Sequence, residues 1–228
     1  MDSNTIMKTV YVCGDSFAST DSDYPGMSWT EQLNANIVNL SRVAGSNLLI
    51  SLQVDKAIAN QPDYIICLFT GVTRDEVQFG DTVTKTTLLD RFYNYANPIA
   101  GTDLVSYSIP TMEYGPFDKR QLSVLKDYHS NFLDLDLLIY KNKCIIESTL
   151  QRLADSQIPF VFDQGGFEHK SFSIKTDYFK KFDSYRSKHN LWDYAPKRNL
   201  RPYFHIDNPA THKMIAEYYN DKINSINT

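Results

Sequence analysis

Residues 8–19 read KTVYVCGDSFAS, and their reading decides the fold. The first six, KTVYVC, are rich in β-branched and aromatic side chains and predict a short strand. That strand runs straight into Gly14-Asp15-Ser16-Phe17. In a parallel α/β sheet, a residue just past the end of strand one lies at the carboxyl edge, where such sheets bind ligands. Gly14 permits a tight turn, and Asp15 is suited to holding that turn through nearby backbone amides. A serine lifted there has the position of a nucleophile, although a Gly-Asp-Ser turn by itself is also ordinary loop chemistry.

The following elements keep an α/β rhythm. Ser28 with Glu31 three residues on reads as a capping box, and SWTEQLNAN predicts a helix ending near Asn36. IVNL (37–40) predicts strand two. Residues 46–60 place apolar side chains at 48, 49, 52, 54, 57 and 58, a helical stripe that Pro62 and Asp63 stop. YIICLFT (64–70) is a continuous apolar run, as expected of a central parallel strand buried on both faces. Residues 76–116 are polar and aromatic with weak periodicity and read as an insertion over one end of the sheet. A helical stretch over 118–155 follows, with Leu122, Leu125, Phe132, Leu138, Ile145, Ile146, Leu150 and Leu153 on its core stripe and a break near Asp134–Asp136. IPFVF (158–162) predicts strand four, 164–204 is irregular, and a last helix spans about 209–224 with Met214, Ile215, Tyr218 and Ile223 inward. Alternating strands and helices imply βαβ units and one α/β domain over 1–228.

Composition sets further bounds. The chain has 228 residues, 42% hydrophobic, enough for a sizeable core. The formal charge is −4 with no long basic run, which argues against a nucleic-acid partner. Cys13, Cys67 and Cys144 have no metal or disulfide spacing and read as buried free thiols; no metal and no cofactor is expected. MDSNTIMKT lacks the basic and apolar regions of a signal peptide, and no run approaches a membrane span, so a cytoplasmic setting is the expectation.

Three further stretches bring polar groups toward the edge that carries Ser16. NLSRVAGSN (39–47) follows strand two; Gly45 lets backbone come close to a ligand, Ser46 is a ready N-cap, and Asn47 either caps the helix or enters the pocket. TGVTRDE (70–76) follows strand three and offers Thr70 and Arg74 as donors, or a solvated arginine paired with Asp75 or Glu76. YFHIDNPATHKMIAEYY (203–219) opens the last helix, with His205 in the loop before it, Asp207 beside it, and His212 inside the helix, where a structural role fits better. Serine catalysis needs a base for the Oγ proton and a group to orient that base.

These blocks, in this order, resemble the SGNH (GDSL-type) hydrolase superfamily, in a branch common among phage and bacterial proteins: GDSF near the start, SW..QL in the first helix, N….GSN after strand two, T…R.E after strand three and H……H.MIA before the end. The resemblance implies a flavodoxin-like three-layer α/β/α sandwich with a mainly parallel sheet, and hydrolysis of a carboxylic ester through an acyl-enzyme. It implies Ser16 as nucleophile, His205 as base, the N–H groups of Ser16 and of Gly45 (or Ala44) as oxyanion donors, and a small-molecule or carbohydrate ester as substrate. A phage-encoded member would act in the host cytoplasm or the virion. Three features depart from the family pattern. FTGVTR lacks the asparagine the third block normally offers, so Thr70 or Arg74 must substitute or the donor is missing. Pro202 stands three before His205 where an acid is usual, which leaves Asp207, Asp193 or a backbone carbonyl to orient the ring. The spacing from His205 to His212 is one residue longer than the family pattern. A degenerate member that binds a carbohydrate or protein ligand without turnover is the second reading. A nucleotide or phosphate binder is the third, and it lacks both GxxxxGK[ST] and GxGxxG.

Overall fold

A computed structural model of the chain describes residues 7–20, 25–78, 104–114, 117–163, 176–187, 191, 206 and 209–227. Its centre is a four-stranded sheet of β1 (Thr9–Cys13), β2 (Asn36–Asn39), β3 (Tyr64–Leu68) and β6 (Phe160–Asp163), in the order β2-β1-β3-β6. All three pairings are parallel, with Val12 beside Asn39 and Ile66, and Cys67 beside Phe162. Parallel strands covered on both faces must be apolar on both, and every residue of β3 is buried.

Alternation along the strands builds two cores. Tyr11, Cys13, Ile65 and Cys67 face helix α1 (Asn47–Ala59) and helix α3 (Leu135–Asp155), which bring Ile50, Val54, Ile146 and Leu150. Val10, Val12, Ile66 and Leu68 face helix α4 (Pro209–Asn224) and Trp29, which bring Ile215, Tyr219 and Ile223. The result is a mainly parallel sheet with helices on both sides, the layered arrangement expected from the sequence. Among the described residues, no helix is long and apolar enough to cross a membrane.

Several expectations are corrected in detail. The helix expected over 28–36 is a single 3-10 turn, Trp29–Gln32, although the Ser28–Glu31 capping box forms. The apolar demand there is met by Trp29, which is fully buried and stacks on Tyr219 at 4.8 Å, and by Leu33 just after the turn. The stretch 118–155 does break near Asp134, as expected, into two helices, α2 (Lys119–Phe132) and α3, because Leu133 and Asp134 adopt extended backbone and Asp134 caps α3 through Leu137 N–H. Phe132, expected inward, is 76% exposed, and Met214 is also exposed. Cys13 and Cys67 are buried, and burial pushes both thiols up; Cys144 is exposed, on the outer side of α3.

The described flanks of the insertion form strands that the sequence reading did not assign. They pair as an antiparallel ladder, β4 (Arg74–Gln78) with β5 (Leu104–Ser108), followed by a 3-10 segment, Ile109–Tyr114. Residues 79–103, between them, lie outside the described residues, and with them the aromatic stretch FYNYANP. The ladder is moored to α3 by Lys141 Nζ, which donates to Asp75 (2.8 Å) and Glu76 (2.7 Å). It is moored to α2 by the Tyr107 hydroxyl, 2.7 Å from His129 Nε2.

Burial pulls the His129 imidazole below its ordinary value, with Asp75 opposing. The unfolded chain therefore takes up this proton more readily, and stability is lost as pH falls through about 6.5 toward the folded-state value. The melting temperature is expected to drop more between pH 7.5 and 5.5 in the native protein than in His129→Gln. Equal drops in thermal denaturation would remove His129 from this account.

Candidate active site

The strand-end turn is held by its own backbone and by α1. Gly14 N–H donates to Gln53 Oε1 (2.7 Å), and Gln53 Nε2 donates back to Gly14 O (3.2 Å). Gly14 is required for space rather than for φ: a Cβ there would meet Ala18 Cβ and Leu68 Cβ at 3.2 Å and Ser41 Oγ at 3.3 Å. Asp15 then closes the turn. Its Oδ1 accepts from Phe17 N–H (2.9 Å), and its carbonyl accepts from Ala18 and Ser19 N–H. Ser16 rides on this turn at the carboxyl edge of the sheet. It is 5% exposed, and its Oγ has no hydrogen-bond partner among the described residues. Buried hydroxyls rarely go unpaired in native proteins, and an exception asks for a ligand or a catalytic partner.

Around Asp15 the structure gathers Thr70, Arg74 and Gly45. Thr70 Oγ1 donates to Asp15 Oδ2 (2.6 Å), and Arg74 Nη2 lies 3.2 Å from the same oxygen. Arg74 Nη1 donates to Gly45 O (3.1 Å). One guanidinium thus joins the turn that carries Ser16 to the loop after β2. The ion pair is almost dry, with the two side chains 13% and 4% exposed. Ser106 of β5 adds a second strut from its hydroxyl to Ala44 O (2.6 Å). Ala44 sits at φ 58°, a left-handed conformation that costs an alanine roughly 1–2 kcal/mol and persists because both sides hold it.

The amides of that loop differ in what they do. Gly45 N–H donates to Arg42 O (3.1 Å), within a turn. Ser16 N–H and Ala44 N–H donate to no acceptor among the described residues. Gly45 is close to the first turn, since a Cβ on it would stand 3.8 Å from Asp15 Cα. Ser46 caps α1 through Leu49 N–H. Asn47, fully buried, clasps Thr70: its Oδ1 accepts from Thr70 N–H (2.9 Å), and its Nδ2 donates to Thr70 O (3.0 Å) and to Asn142 Oδ1 (2.7 Å). Thr70, Asn47 and Arg74 therefore spend their polar groups on bracing the loops.

His205 and Asp207 lie outside the described residues. Ile206, which separates them in sequence, is buried against α4. His212 Nδ1 accepts from Trp29 N–H (2.9 Å), so Nε2 carries the proton and donates to Ile206 O. Trp29 Nε1 in turn donates to Phe17 O (2.9 Å). A chain of bonds thus runs from Ile206 through His212 and Trp29 to the residue after Ser16, and His212 has the structural role its place in the helix suggested.

Three supports escaped the sequence reading. Gln53 is a polar residue on the inner side of α1, and a buried glutamine in an apolar stripe was the available signal. Trp29 was legible as a helix residue but not as the link to Phe17. Asp163 ends β6 at the same carboxyl edge, 4% exposed, and accepts from Leu191 N–H (2.9 Å); an acid at the end of an apolar strand was its signal.

No protein-family model matches the chain, and no curated protein does. Among solved structures, the chain is similar to the crystal structure of an acetyl xylan esterase, with a TM-score of 0.43 and 9% identity over 94% of this chain and 98% of that one. A likeness at that level carries no argument about chemistry.

Proposed function

We propose that the chain is a serine esterase or acyl hydrolase of the SGNH type that cleaves a carboxylic ester through an acyl-enzyme. One observation carries the reading: among the described residues, Ser16 Oγ is buried and unpartnered on a turn whose carboxylate, Asp15, is fully engaged. A structural serine in such a turn would bond to the loop, as Asp15 does.

In the proposed cycle, Ser16 Oγ attacks the ester carbonyl carbon while His205 takes its proton. The oxyanion is received by the N–H groups of Ser16 and Ala44, which have no acceptor among the described residues. The C–O bond to the alcohol breaks, and the alcohol leaves with the proton from His205. Water then attacks the acyl carbon, gives a proton to His205, and releases the acid as Ser16 recovers its own proton. Asp207 orients the imidazole in this proposal. An O-acetyl group on a carbohydrate is the substrate class that fits the family resemblance, and the aromatic insertion would wall its pocket.

Thr70 and Arg74, committed to Asp15, leave the third oxyanion donor of the family unreplaced. Loss of one such donor is worth about 3–4 kcal/mol in the transition state. This favours a slow hydrolase, with a silent binding protein as the second reading. With 4-nitrophenyl acetate, the native protein is expected to release 4-nitrophenol above the buffer rate, and His205→Ala to lose about 10³-fold or more of that excess. An unchanged rate in His205→Ala would remove His205 as the base.

A further inference from the structure

The loop after β2 holds a second unpartnered group. Arg42 N–H donates to Gly14 O, and its carbonyl accepts from Gly45 N–H, both at 3.1 Å. Its backbone is therefore fixed against the strand-end turn, two residues before Ser16. The side chain is half-buried, and Nη1 donates to the adjacent Ser41 O (2.8 Å). Nε is buried with no acceptor, and no carboxylate pairs with the guanidinium among the described residues. Arg74, one loop away, shows the contrast, because its charge is balanced by Asp15. Burial pulls the Arg42 guanidinium below its ordinary value, so the surroundings solvate its charge poorly.

A guanidinium stays charged in a protein, and a buried donor without an acceptor costs about 1–3 kcal/mol. With Asp15 neutralised by Arg74, the described residues of the two loops carry one uncompensated positive charge. Its forked donors suit a planar or tetrahedral oxyanion group. We propose that Arg42 binds an anionic group (a carboxylate, sulfate or phosphate) on the ester substrate, so that acidic esters are preferred over neutral ones. This rests on the reading of Ser16 as the reacting centre.

The test compares three chromogenic esters: neutral 4-nitrophenyl acetate, 5-acetoxy-2-nitrobenzoate with a carboxylate on the alcohol side, and mono-4-nitrophenyl succinate with one on the acyl side. Each kcat/KM is divided by that ester's rate in buffer. The native protein is expected to favour at least one anionic ester by about 10-fold or more, the scale of a hydrogen bond to a charged group. Arg42→Gln is expected to erase that ratio, and Arg42→Lys to keep part of it. Calorimetric titration of Ser16→Ala protein with the same esters reads the anion preference whether or not Ser16 performs chemistry, so failure of the hydrolase reading and failure of this one stay distinct. No preference in either arm overturns the proposal. So does an equal fall on all three esters in Arg42→Gln, which would make Arg42 a general oxyanion donor or loop support. If Arg42→Gln does not fold, the native ratios and Arg42→Lys decide.

Discussion

Ser16→Ala is expected to lower kcat/KM for ester hydrolysis by about 10⁴-fold or more, because the nucleophile and its base act as a unit and nothing else in the turn replaces the oxygen. The same substitution is expected to leave the melting temperature unchanged or raise it. Ser16 Oγ makes no hydrogen bond among the described residues, so deleting it removes a buried polar atom and breaks nothing. Loss of activity without loss of stability separates a catalytic serine from a structural one. Activity retained within threefold, measured with 4-nitrophenyl acetate after confirming the fold by circular dichroism, would end the mechanism. A melting temperature lowered by 5 °C or more would instead mark Ser16 as part of the scaffold.

Asp15→Ala is the second large effect, and it falls on stability first. The substitution strands Arg74 as an uncompensated, nearly dry charge and leaves Thr70 Oγ and Phe17 N–H without their acceptor. Removing one partner of a buried ion pair costs about 3–5 kcal/mol. In a chain of this size that corresponds to a melting temperature lower by roughly 10 °C. Activity is expected to fall with it, since Asp15 also joins the Ser16 turn to the loop that carries Ala44. Asp15→Asn keeps one acceptor, for Phe17 N–H, and its amide N–H can donate to Thr70 Oγ1 while the charge is lost, so its loss of stability should be the smaller of the two. Differential scanning calorimetry on both variants checks this order. Equal, negligible shifts would mean that the Asp15–Arg74 pair is not what holds the loops together.

Much of this architecture was legible because parallel strands advertise themselves. YIICLFT can be buried on both faces only in the middle of such a sheet, and β3 is found there. The cap residue Ser46 acts through its own side chain within three residues, so local sequence carries it. The site was legible in outline only. Gly14, Asp15, Ser16, Gly45, Thr70 and Arg74 do converge at one sheet edge, as the order of the blocks suggested. The division of labour among them was not legible. Whether Arg74 faces a ligand or Asp15 depends on a contact across 59 positions of sequence, which no local pattern encodes. The same holds for Gln53 at Gly14 and for Trp29 between Phe17 and His212. The β4–β5 ladder was missed because charged Arg74, Asp75 and Glu76 mask strand alternation; their charges are satisfied by Asp15 and Lys141 rather than by water.

The central claim is that Ser16 is an activated nucleophile. Intact-mass spectrometry after incubation with a fluorophosphonate tests it most directly, with peptide mapping to locate the adduct. One adduct per chain on Ser16, absent from Ser16→Ala and formed much more slowly in His205→Ala, is the result predicted. A folded native protein that gains no mass, or that is labelled elsewhere while Ser16 stays free, would contradict it.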